Sequence, residues 1–153
     1  LDDYRGYQYL GLVKAVNKEF KEALTQFKKA EELNANSVKL LCDIANTYKD
    51  MKRYNSARNY ISKAKKIDPN FGYIYIVEGD IIYSQAMDKV PESGELNMEV
   101  KCTFLKASKV YRQVINNPDW GGMARSKLDF IKPYLPSREE IKQYRFMGGT
   151  TCD

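Results

Sequence analysis

The chain has 153 residues, 43% of them hydrophobic and 29% charged, with a net charge of +5 from 25 basic and 20 acidic side chains. Such fractions suit a globular chain with a continuous core and exclude a disordered segment, and no uninterrupted apolar stretch reaches the ~20 residues that span a bilayer. With no histidine, the chain lacks the commonest general base, the usual partner of a serine or cysteine nucleophile, and the commonest metal ligand.

The three cysteines, Cys42, Cys102 and Cys152, are an odd number without CxxC spacing. Neither a zinc site nor a disulfide framework is expected of them, and all three read as buried or free thiols. No Gly-rich phosphate loop occurs, and no pair of carboxylates is nominated for acid–base work. The expectation is therefore a protein that is not an enzyme, with no cofactor and no metal. The charge excess is interspersed, so it permits an acidic partner without requiring one. The chain opens at Leu1 without a methionine and with no visible secretory signal. Both a cytoplasmic location and a bacterial periplasmic or cell-envelope one, after removal of a signal, stay open.

Taken in chain order, the first helical pair covers 4–37, the second 38–71, and the two share one pattern. A single constant step carries Phe20, Ala23, Phe27, Ala30 and Leu33 onto Tyr54, Ala57, Ile61, Ala64 and Ile67. In the helix preceding each, Leu10-Gly11, Ile44-Ala45 and Glu78-Gly79 keep the same step, as do Tyr7, Leu41 and Tyr75. Helices of about a dozen residues cannot bury an apolar face alone, so each pair must stack on the next. Small residues at Gly11, Ala45 and Gly79, and the paired alanines of the second helices, permit close approach. The large residues between them fill the layers, and Pro69 ends the second copy.

A third copy, 72–119, starts in phase, but its second helix is late. Phe104/Ala107 follows Tyr54/Ala57 at a longer step than the one that separates the first two copies, which marks an insertion at about 88–101. Pro91, Ser93 and Gly94 predict a loop, and Asn97 predicts a cap on a lengthened helix carrying Val100, Phe104, Ala107, Tyr111 and Val114 on one stripe. Beyond it, 120–153 reads as C-terminal capping helices and a tail. A short amphipathic helix carries Met123, Leu128 and Ile131 and stops at Pro133. Ser137 with Glu140 forms a capping box on a last helix, and a loose "MGGTTCD" ends the chain.

The period and its residues resemble the tetratricopeptide repeat, and the "LPSREE" ending resembles the tails of repeat proteins from Bacteroides-type bacteria, many of them exported. This resemblance implies an all-α fold, a right-handed α-solenoid of antiparallel helix pairs in one domain. It also implies a non-enzymatic scaffold or adaptor that holds a peptide or a partner helix in a concave groove lined by the first helix of each pair. Helical phase then points to Arg5, Gln8 and Leu12, to Lys39, Asp43 and Asn46, and to Tyr73, Ile76, Asp80 and Tyr83. For the polar members an ordinary solvated face is the competing reading; for Tyr73 and Tyr83 it is packing under the terminal helix. Family members that clamp a C-terminal carboxylate use lysines, an arginine and asparagines at positions held here by Gln8, Leu12, Asp43, Tyr73 and Val77, so that ligand is rejected. Two alternatives stand beside the scaffold. Twelve tyrosines, Trp120 and the tail suggest a cell-envelope or carbohydrate-associated role. Lys28, Lys29, Lys63, Lys65 and Lys66 would serve nucleic acid, the lesser of the two.

Overall fold

The computed structural model describes residues 3–150 and Cys152. Among them are eight α-helices and one 3-10 turn, with no strand, and the helix pairs pack consecutively as expected of a helical solenoid. The chain divides into two compact units, one reaching Val77 and one starting at Glu78.

The first unit holds α1 (Tyr4–Val16), α2 (Phe20–Leu33), α3 (Val38–Asp50), α4 (Tyr54–Ile67) and the opening residues of α5 (Tyr73–Met87). The first helix of each pair starts on a side-chain cap: Asp3 accepts from the Arg5 amide at 3.0 Å and Ser37 from the Leu40 amide at 3.4 Å. The period visible in the side chains extends to the backbone. The amide of Glu19 reaches the Lys14 carbonyl and that of Lys18 the Ala15 carbonyl; one period later Arg53 reaches Tyr48 and Lys52 reaches Lys49. These are paired Schellman endings. Each puts a lysine in the left-handed region, Lys18 at φ 63° and Lys52 at φ 58°, where glycine is the unstrained choice. The links to the next helix repeat too, because Asn34 and Asp68 each accept from the amide two residues on.

Ala23, Phe27, Ala30, Leu40 and Ile44 form one buried cluster of α2 and α3, with Tyr7, Leu12 and Leu24 packed on it. A Cβ on Gly11 would lie 2.5 Å from the Phe27 ring, so glycine is required there for α1 to seat on α2. Phe27 and Ile61 occupy matching positions, and both are buried. Truncating a ring such as that of Phe27 to alanine costs about 3–5 kcal/mol.

The second unit continues α5 from Glu78 and adds α6 (Met98–Arg112), α7 (Gly121–Ile131), a 3-10 turn (Lys132–Tyr134) and α8 (Arg138–Phe146). Gly79 repeats the role of Gly11, because a Cβ there would run into the Tyr111 ring. Asn97 does cap α6, accepting from the Val100 amide at 3.0 Å. The insertion does not lengthen the helix appreciably, however, since α6 has 15 residues against 14 in α2 and α4. It starts ahead of Phe104 and stops early. The reason is the junction with α7. The Asn117 side chain accepts from the amides of Asp119 and Trp120, both at 3.0 Å, and a Cβ on Gly121 would stand 2.5 Å from the Ile115 carbonyl oxygen. A tight turn replaces the last helical turn.

Proline 133 ends α7 in the 3-10 turn, and the capping box on α8 is complete: the Glu140 amide donates to Ser137 at 3.1 Å and the Ser137 amide to Glu140 at 2.7 Å. The tail departs from expectation. Gly148, at φ +88°, closes α8 with a third Schellman ending, and Cys152 is bonded to Cys102 of α6. The three thiols are thus not all free, because a chain reversal after α8 brings together two cysteines 50 residues apart. Cys42 remains a free, buried thiol, with its pKa pushed up to about 12, mainly by burial.

Candidate functional site

In the first unit the predicted groove residues converge on Asp43. The Ser37 cap sets the phase of α3, which places Lys39 and Asp43 one turn apart. The Lys39 ammonium then lies 2.6 Å from one carboxylate oxygen of Asp43. The Gln8 amide of α1 donates to the other at 2.7 Å. Lys39 also stands 4.8 Å over the Tyr73 ring, so one cation joins the carboxylate to the aromatic. Asp43 itself is buried. Burial raises its pKa above the usual carboxylate value, and the Lys39 and Gln8 contacts oppose that rise without cancelling it. Asn46, one turn further along α3, is half-buried, and its side chain makes no hydrogen bond among the described residues. Gln8, Lys39 and Tyr73, with Asn46 one turn further along α3, therefore form a half-buried polar and aromatic strip over the buried Asp43.

The remaining predicted residues divide. Leu12 lies half-buried against the core cluster. Arg5 turns to Asp3, 2.8 Å away at the exposed start of α1. Ile76 is wholly buried and offers no surface to a partner, as is Val77. Asp80 and Tyr83 belong to the second unit, where α7 engages both. Asp80 accepts from the Tyr111 hydroxyl at 2.7 Å and pairs with Lys127 at 2.8 Å. Tyr83 packs 5.6 Å from Phe104 and 6.0 Å from Phe130, and Tyr134 stacks on Phe104 at 4.9 Å. Burial and the Asp80 carboxylate push the Tyr111 hydroxyl pKa far up, which keeps it protonated and donating. Tyr83 thus packs, half-buried, against Phe104 of α6 and Phe130 of α7.

A depression of about 320 Å³ is lined by Leu24, Thr25, Lys28, Glu31, Tyr48 and Tyr60. Tyr48 and Tyr60 stack at 5.7 Å, the Tyr60 hydroxyl donates to Glu31 at 3.3 Å, and burial followed by the Glu31 charge moves that hydroxyl to about 12. Its sequence signal is a break in the period, because Lys14 and Gln26 occupy the matching positions of the first copy. No helix among the described residues is long and apolar enough to cross a membrane.

The class is thus an all-helical chain of stacked helix pairs. Within it, residues 12–71 match the family described as regulator of microtubule dynamics protein 1-3, and the match lies inside the first unit. The tetratricopeptide assignment is corrected accordingly: the family that matches is not a tetratricopeptide one. The physical reason is that a fixed pair length with alternating small and large residues is a requirement of stacking. It identifies the packing without identifying the lineage. No curated protein matches the chain.

Proposed function

We propose that the chain is a non-enzymatic protein-interaction scaffold whose first unit binds an extended peptide along the strip of Gln8, Lys39, Asn46 and Tyr73, with the buried Asp43 holding Gln8 and Lys39 in place beneath it. The observation that carries this reading is Asn46. The residue is half-buried, its side-chain amide is open to solvent with no hydrogen bond among the described residues, and it sits beside polar groups that are already held in place. A primary amide offers one acceptor and two donors, the complement of an extended backbone. Tyr73, fixed under Lys39, supplies apolar area at small conformational cost. The test is capture of peptides from a displayed library by the purified chain. Asn46→Ala together with Tyr73→Ala should weaken capture at least about ten-fold while the thermal midpoint stays near that of the wild type. Undiminished capture by this variant overturns the assignment.

A second reading takes the partner from the description of the matched family, so that the first unit binds microtubules. It is favoured by charge: the unit up to Val77 holds 14 basic and 9 acidic side chains, the other 11 of each, so all the excess is in the first. Co-sedimentation with stabilised microtubules, weakening steeply with salt, is the expected result. The two readings also differ in compartment. The Cys102–Cys152 bond supports an oxidising compartment for the scaffold, whereas microtubule binding requires a reducing one. One free thiol per chain in freshly isolated protein supports the former, and three support the latter.

A further inference from the structure

We propose that the outer face of α1 is an open stacking face that takes an amphipathic helix built like α2, in the register in which α2 packs on α3. The inference concerns a face other than the peptide strip, and neither depends on the other.

The argument is a comparison of one position with its own repeat. Tyr9, Leu10, Val13 and Val16 form an apolar stripe along α1, with exposures of 68%, 40%, 40% and 81%. Their counterparts in the second copy are Asp43, Ile44, Thr47 and Asp50, and the first three are each 2% exposed. What covers them is known. The second pair receives the first: α3 packs against both α2 and α1, with Ile44 set among Ala23, Phe27 and Ala30. Gln8 closes over Asp43. The stripe on α1 has the same place in the pair but no helix over it among the described residues, and Gly11 is the only buried residue of α1.

The matching stripes of the two copies are therefore unequal, covered on α3 and open on α1. Stacked-helix proteins keep their end faces polar when these face water. Here α1 shows four large apolar side chains in one row, which is how an interaction surface differs from scattered exposed residues. The register defines the occupant. Leu10 stands where Ile44 does, so the incoming helix needs alanines flanking a large residue, as in Ala23-x-x-x-Phe27-x-x-Ala30. A second copy meeting α1 face to face is disfavoured by size. One stripe of four side chains falls well short of the ~800 Å² per partner that a stable dimer buries, while a single helix fits it.

The probe is a synthetic peptide of Glu19–Asn34, stapled on its solvent side between positions 21 and 28 and carrying a fluorophore. It is titrated with the full chain and followed by anisotropy. Saturable binding is expected. Leu10→Glu with Val13→Glu in the protein should weaken it at least about ten-fold, and so should Ala23→Leu with Ala30→Leu in the peptide, which block close approach. If the protein variant loses its thermal transition, Tyr9→Glu with Val16→Glu carries the comparison at more exposed positions. Absence of binding to the wild-type chain, or equal binding to wild type and variant, overturns the proposal. So does a wild-type dimer in sedimentation equilibrium that the variant abolishes and the peptide cannot displace, because the occupant would then be a second copy.

Discussion

The two units solve the same problem with different means. In the first, each device is used twice. Small Gly11 and Ala45 match in α1 and α3, and large Phe27 and Ile61 match in α2 and α4, all of them buried. The lysine turns at Lys18 and Lys52 recur in the same way, as do the carboxamide and carboxylate links at Asn34 and Asp68. In the second, the repeat survives as Gly79 against Tyr111 and as the buried Phe104 and Ala107 of α6, and distant residues are also tied individually. Asp80 binds Tyr111 and Lys127, Lys101 lies 2.5 Å from Glu140, an aromatic cluster surrounds Phe104, and a disulfide joins α6 to the tail. Helix α8 has no buried residue; the Lys101–Glu140 pair and, past its end, the Cys102–Cys152 bond tie it to α6. Where the period is kept, repeated stacking devices accompany ties such as Gln8–Asp43 and Tyr60–Glu31; where an insertion breaks it, a covalent tie is added.

The largest expected effect that tests this contrast is loss of the disulfide. Closing a loop of 50 residues stabilises by about 4 kcal/mol on the chain-entropy account. Trp120, the chain's single tryptophan, lies in the second unit and reports on it. Cys102→Ala with Cys152→Ala should therefore lower the fluorescence-detected denaturant midpoint strongly, and an unchanged midpoint would show that α8 is held without the bond. Next comes Ala57→Leu, which overpacks a fully buried contact of the first unit and should cost about 1–3 kcal/mol by circular dichroism, leaving the tryptophan signal of the second unit in place. A smaller effect of opposite sign is expected for Lys52→Gly. Relief of the left-handed turn should raise stability by about 0.5–1 kcal/mol, and a loss would mean that the lysine side chain matters more than its φ.

The smallest effects are those of pH, and they run in opposite directions. The Asp43 pKa is raised above the unfolded value of 3.8, so the folded state holds that proton more tightly. Its effect on stability becomes more favourable as pH falls toward 3.8 and less favourable as pH rises through the folded pKa. The Glu140 pKa is lowered from 4.5, first by Lys101, so its contribution is present above 4.5 and lost as pH falls through the lower folded value. Between pH 5 and 3, wild type should gain on Asp43→Asn and lose ground against Glu140→Gln in parallel melts. Two traces moving together would refute the contrast.

Much of the fold could be read because stacking leaves a period in the side chains. Gly11 with Phe27, the Asn97 cap and the Ser137–Glu140 box all depend on residues at short, regular spacings. What escaped reading depends on long-range geometry or on residues in atypical roles. A lysine in a left-handed turn carries no sequence mark of that conformation. Cys152 meets Cys102 only after a reversal that brings together positions 50 apart. In the candidate site, phase put Gln8, Asp43, Asn46 and Tyr73 on the first helices of their pairs, where they lie, but it does not measure depth. Ile76 belongs to the core, and α7 had already claimed Asp80 and Tyr83. The resemblance to tetratricopeptide repeats had the same origin as the success with the fold, since it was read from packing residues.

The disulfide also governs how the molecule answers to force. A chain pulled by its two ends pays out extended polypeptide as its helices unravel, but the segment between Cys102 and Cys152 is closed on itself and adds nothing to that length. The hidden slack is about 170 Å, taking roughly 3.4 Å for each of the 50 residues. In an optical trap the oxidised chain should therefore stop short of the reduced one by that amount, with α7 and α8 shielded from tension while α1 to α5 give way.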